Sequence, residues 1–304
     1  MEDNTGIPKP RGQRAPIQSY QNGGEQVDED FNNGSTDEVD SVFQSGITAY
    51  ENESYSQALQ YFERAFEIIQ ARDLNDENID NMGLISYHIG QCNKSLENFD
   101  KAITSFITAY NLCLKTEVRN NERLARVCSY LGDAYYFKDD YLNAIENHKE
   151  AVEFYIMVEG SKGQMVGWSF NDLGIDYYWA SEYDLSIRYL KKALKIIETE
   201  FGKQHKYVAD LYMRLADSYL QTDNEMSAVN KYKKAYAIRE NLFGSNSEEL
   251  DDANYQLGKA YCYVGEMELG RNCLYASLSY RKSHFGENSA EYLASKKWTD
   301  DHDI

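Results

Sequence analysis

A small residue recurs along this chain at Gly46, Gly90, Gly132, Gly174, Ala216 and Gly258, spaced by 44 residues once and by 42 thereafter. Twelve residues beyond each stands Ala58, Ala102, Ala144, Ser186, Ala228 or Gly270, and nineteen beyond each stands Ala65, Ala109, Ala151, Ala193, Ala235 or Ser277. Self-similarity at a fixed period marks an architecture of stacked supersecondary units. The small residues have a packing cause, because two helices approach to the short end of the ~8–10 Å range only where side chains are short. The first two small positions of a unit let its paired helices touch, and the third lets the second helix meet the next unit. Tyr135, Tyr177, Tyr219 and Tyr261, three residues beyond the first small position, fill the space left open. Tyr55, Phe99, Tyr141 and Tyr183, nine beyond it, are expected to begin second helices.

Proline use sets the limits of this array. All three prolines, Pro8, Pro10 and Pro16, precede it, and nothing from there to Ile304 interrupts a helix. Residues 1–37, rich in Gly, Asn, Gln, Asp and Glu, bury too little apolar area to offset ordering entropy and are read as a disordered acidic tail. Ser35 and Glu38 have the spacing of a capping box, so the folded part is expected to run over 38–304. Within the tail, Thr5, Ile7 and Pro8 resemble the Ser/Thr-x-Ile-Pro motif recognised by microtubule end-binding proteins.

Charge and motif content narrow the function. With 31 Lys plus Arg against 50 Asp plus Glu the formal charge is -19, so the average surface repels phosphate and anionic lipid, and neither nucleic acid nor membrane insertion is expected. No apolar run reaches the ~20 residues of a membrane span. The five cysteines form no C-x-x-C pair, which points to free packed thiols in a reducing cytoplasm and to no metal. No phosphate loop, zinc-protease helix or nucleophile elbow is present, so a non-enzymatic role without cofactors is expected. His148 falls at a core aromatic position and reads as a packed ring. The acidic pair Asp139-Asp140, near a helix end, reads as solubilising charge.

Leu173-Gly174, Tyr177, Tyr183 and Ala193 resemble the tetratricopeptide repeat, with Ser186 in place of its middle Ala. The usual unit is ~34 residues; eight more give each helix about one extra turn without rotating its buried face. The 42-residue unit is similar to the repeats of kinesin light chains, as are Phe201-Gly202, Phe243-Gly244 and Phe285-Gly286, whose glycines suit left-handed helix caps. The resemblance implies an all-α, right-handed superhelix of six helix-turn-helix repeats, at about 38–79, 80–121, 122–163, 164–205, 206–247 and 248–288, with a partial capping helix over 289–299. It also implies a cytoplasmic scaffold or adaptor that binds a partner peptide or helix, in a motor or cytoskeletal complex. The alternative is a bacterial peptide-responsive regulator of the phosphatase or response-regulator-binding type, which uses similar arrays.

The partner is expected on the first helices, which line the concave side of such a stack. A second stripe, at offsets of -6, -3, +1 and +4 from each small residue, points away from the packing stripe by the 3.6 period. From it and its neighbours come the candidate binding residues Arg126, Tyr136, Trp168, Asn171, Tyr178, Trp179, Met213, Arg214, Tyr255 and Lys259. Aromatic and Arg side chains dominate binding energy at interfaces. No strong cluster of Lys and Arg stands out on this stripe, so a phosphopeptide or an acidic C-terminus is not the expected groove ligand.

Overall fold

The computed structural model describes residues 38–117 and 119–303, which form thirteen helices and no strand. The tail 1–37, with Thr5, Ile7, Pro8 and the Ser35 half of the capping box, lies outside the described residues. First helices are α1 (Glu38–Glu51), α3 (Asp76–Ser95), α5 (Asn121–Phe137), α7 (Gln164–Trp179), α9 (Lys206–Leu220) and α11 (Glu248–Tyr263). Second helices are α2 (Tyr55–Gln70), α4 (Phe99–Cys113), α6 (Tyr141–Glu159), α8 (Tyr183–Phe201), α10 (Glu225–Phe243) and α12 (Met267–Phe285). The last helix, α13 (Ala290–Asp301), is capped by Ser289, whose hydroxyl accepts from the Tyr292 N–H. Four of the second helices thus begin at the aromatics expected to open them.

The chain divides into two compact units, 38–176 and 177–303 as described, and the break falls inside α7. In the first, α1 packs on α2, α3 on α4 and α5 on α6, and α2 and α4 also meet the next first helices, α3 and α5. The second unit repeats this order from α8 to α12 and adds α13 against α12. The small residues sit where their size is needed. A Cβ added at Gly46 would lie 2.6 Å from the Phe62 ring, one at Gly90 2.5 Å from Phe106, and one at Gly132 2.5 Å from His148 Nε2. Ala58, Ala65, Ala102, Ala109, Ala144, Ala151, Ala193, Ala228 and Ala235 are completely buried.

The turn inside each repeat carries a signal that the sequence hides. Glu53, Glu97, Asp139, Ser181, Asp223 and Gly265 all have positive φ, between 51° and 82°. Each lies seven residues beyond its repeat's small residue. The next residue in every case, from Ser54 to Glu266, donates its N–H to the carbonyl five residues back, as Glu182 does to Tyr177 at 2.8 Å. This is the Schellman closure, which satisfies the last carbonyls of the first helix and usually takes Gly. Asp139-Asp140 is therefore more than solubilising charge: Asp139 holds the left-handed position and accepts from Tyr141, and Asp140 caps the Asn143 N–H. The glycines between repeats depart from expectation as well. Gly160, Gly202, Gly244 and Gly286 combine φ near 80° with ψ of 161–177°, a region open almost only to Gly, in place of the helical left-handed cap.

Candidate interaction surface

In the 38–176 unit the expected stripe is largely closed. Tyr136 is 1% exposed, with its ring against Phe137 and Tyr141, and Asn171 and Trp168 are 4% and 9% exposed. Side chains this covered offer a partner almost no area, so these three act in packing and the sequence-based assignment to a binding surface is corrected for them. The reason is that neighbouring side chains in the stack cover positions which helical phase alone leaves open. Arg126 stays partly exposed and pairs with Glu122 at 2.7 Å.

Beneath this surface lies a buried charge cluster. His148 Nδ1 is 2.6 Å from Asp176 Oδ2, and its Nε2 is 3.1 Å from the Ser129 carbonyl oxygen and 3.5 Å from Asp133 Oδ1. Lys94 Nζ donates to Asp133 Oδ2 at 2.5 Å while lying 4.4 Å from the Tyr130 ring centroid. His148, Asp133 and Asp176 are all completely buried. Burial works against charge on His148, but the Asp176 carboxylate and hydrogen bonds with Asp133 and Asp176 hold its pKa well above that of a free imidazole. Burial likewise raises the Asp176 pKa, whereas for Asp133 the Lys94 charge and His148 overcome burial and lower it. His148 is thus the packed ring that its position implies, but as a charged one. Its closure from solvent leaves it no route to a substrate.

In the 177–303 unit Met213 is buried at 7% exposure and its assignment is corrected in the same way. Tyr178, Trp179, Arg214, Tyr255 and Lys259 remain partly exposed. Tyr178 packs edge-on against Trp179 and Tyr183, which ties it to the helix junction as well as to the surface. Lys259 lies 5.2 Å from the Tyr255 ring centroid and 5.9 Å from that of Trp298, and burial lowers its pKa. Asp217, between them along the stripe, accepts from Tyr232; burial, aided by repulsion from Asp252, pushes its pKa up to about 6. Arg239 clamps successive repeats, reaching Asp210 at 2.9 Å and Asp252 at 2.8 Å. Arg281 does the same for the end, bonding Asp251 at 2.8 Å and Ser295 on α13. Among the described residues no group of three or more His, Cys, Asp or Glu could hold a metal ion, and no helix is long and apolar enough to cross a membrane.

Successive helix pairs, closed by one turn geometry and joined at small residues, define a helical-repeat protein. The tetratricopeptide repeat family matches residues 81–157 and 165–241, just over half of the chain, and the chain belongs to that family. No curated protein sequence matches it. Among solved structures it is similar to BtubC (BKLC) from P. vanneervenii, with a TM-score of 0.64 and 18% identity over 78% of this chain and 92% of that one. A Podosopora anserina putative kinesin light chain with nearly identical TPR-like repeats gives 0.59 and 15%, over 67% and 97%. The apo form of RapI gives 0.59 and 13%, over 81% and 98%. Likeness at these identities is likeness of fold, and it extends to the kinesin-light-chain type of repeat.

Proposed function

We propose that this protein is a non-catalytic scaffold that holds a segment of a partner protein against its first helices, through Arg214, Tyr255 and Lys259 with Tyr178 and Trp179 beside them. One observation carries the reading. Arg214 on α9 and Lys259 on α11 stand partly exposed, and neither makes an ion pair among the described residues. Both bear on Asp217 only at a distance, which leaves their hydrogen-bond donors for a partner's backbone carbonyls and carboxylates. The kinesin-light-chain type of the repeats directs the search for that partner to cytoplasmic motor and cytoskeletal complexes.

The test is affinity capture by the full chain, quantified by mass spectrometry, in parallel with Arg214→Ala combined with Tyr255→Ala. The double variant should bind the captured partner ~2–4 kcal/mol more weakly, a loss of roughly thirty- to a thousandfold, at unchanged helicity. A partner set that does not change in the variant would remove this face from the interface. Enrichment of a response-regulator domain would replace the scaffold reading by that of a peptide-responsive regulator.

A further inference from the structure

A second charged feature lies on the opposite side of the same repeats, where α8 and α10 flank α9. Tyr212 and Tyr219 are seven residues apart on α9, two turns along one face. The Lys191 ammonium sits 5.4 Å from the Tyr219 ring centroid, and those of Lys231 and Lys234 sit 5.5 and 5.1 Å from the Tyr212 centroid. Lys191 comes from α8 and the other two from α10, so three cations from two second helices gather over two tyrosines of α9. Lys191 and Lys234 are exposed, Lys231 is half-buried, and none of the three makes an ion pair among the described residues. The carboxylate that bears on Lys231 is Glu198, and it already accepts from the Tyr212 hydroxyl at 2.9 Å. Burial and the neighbouring charges of Lys234 and Lys191 lower the Lys231 pKa.

Such a concentration of positive charge is out of character for a chain of formal charge -19. Three like charges held together with one nearby carboxylate, Glu198, cost stability unless something else uses them. We infer that this cluster of lysines from α8 and α10 over Tyr212 and Tyr219 is a docking site for an extended, Asp/Glu-rich segment of another protein, separate from the first-helix face. The cations are spread over two helical turns, ~11 Å, which three alternate side chains of an extended chain cover, since their ends lie ~13 Å apart. Tyr212 is buried and anchors the cluster, whereas the half-exposed Tyr219 ring suits an apolar side chain of such a segment. A nucleic acid fits less well, because its affinity comes from neutralising many phosphates and the rest of this chain repels them.

The probe is a short fluorescein-labelled peptide in which Glu alternates with Leu, with a Gln-for-Glu peptide and a short oligothymidylate as comparators. Fluorescence anisotropy with the full chain should show binding of the Glu peptide that weakens as salt rises. Lys191→Glu combined with Lys234→Glu should weaken it by about tenfold or more. Lys296→Glu combined with Lys297→Glu, which changes net charge equally on α13, should leave it within about twofold. Far-ultraviolet circular dichroism should give the same helicity for both variants, since all four lysines are exposed. The inference is overturned if the wild type does not bind the Glu peptide, if the Gln peptide binds as well, if the two double variants lose equally, or if the oligonucleotide binds more tightly.

Discussion

His148→Phe isolates the worth of the buried charge cluster, because the replacement costs almost nothing in shape. Units one and two place Phe62 and Phe106 at the same position, and their rings stand 2.6 and 2.5 Å from the site of a Cβ on Gly46 and Gly90, against 2.5 Å for His148 and Gly132. What changes is charge. Asp133 keeps Lys94, but Asp176 loses its partner at 2.6 Å, and its other oxygen already has none. Stripping one member from a buried pair costs ~3–5 kcal/mol. At ~2–4 °C per kcal/mol for a unit of this size, the melting temperature should fall by about 6–20 °C.

The pH dependence adds a signature. The folded pKa of His148 is raised, so its stabilisation is complete below the unfolded value of ~6.5 and is lost as pH climbs through the folded pKa, at up to ~1.4 kcal/mol per pH unit. That alkaline decline should be missing from the variant. With the folded pKa of Asp176 raised, the variant should instead gain stability as acid protonates the orphaned carboxyl. Adding Asp176→Ala, the residue at the matching positions Ala134 and Ala260, should restore most of the loss. Urea and thermal unfolding followed by circular dichroism from weakly acid to alkaline pH would measure all of this. If His148→Phe melts with the wild type, or if Asp176→Ala does not rescue it, the cluster is not charged as argued.

Three further outcomes are expected. Ser181→Gly should stabilise by ~1 kcal/mol and Gly265→Ala should destabilise by a similar amount, because both occupy the left-handed turn position; matched thermal melts would check the opposite signs. Asp217→Asn should stabilise at neutral pH by ~1–2 kcal/mol, because a carboxyl whose pKa is pushed up to about 6 loses stability as pH rises from about 4 through that value; below pH ~4 the gain should vanish. Arg239→Met should cost ~2–4 kcal/mol by leaving Asp210 and Asp252 facing each other without the shared guanidinium, seen as increased amide exchange in α9 and α11.

The period of small residues determined the helix pairs, their order and the start of most second helices, because packing distance depends directly on side-chain size and repeats every 42 residues. It did not determine which stripe stays open. Helical phase alone sends Tyr136, Trp168, Asn171 and Met213 to the free face, and only the meeting of neighbouring helices shows that face to be closed over them. The turn geometry was illegible for a related reason. Backbone closure imposes positive φ at the same place in every repeat, and Glu, Asp and Ser fill it in five of the six, where Gly, present only as Gly265, would have announced it. The polar contacts that matter most join residues far apart in sequence: His148 to Asp176 across 28 positions, Lys94 to Asp133 across 39, and Lys191 to the Lys231–Lys234 pair through Tyr219 and Tyr212. Each of these side chains is ordinary where it stands in the sequence. Charge acts through space, so only the packing of one helix on the next makes a cluster of them.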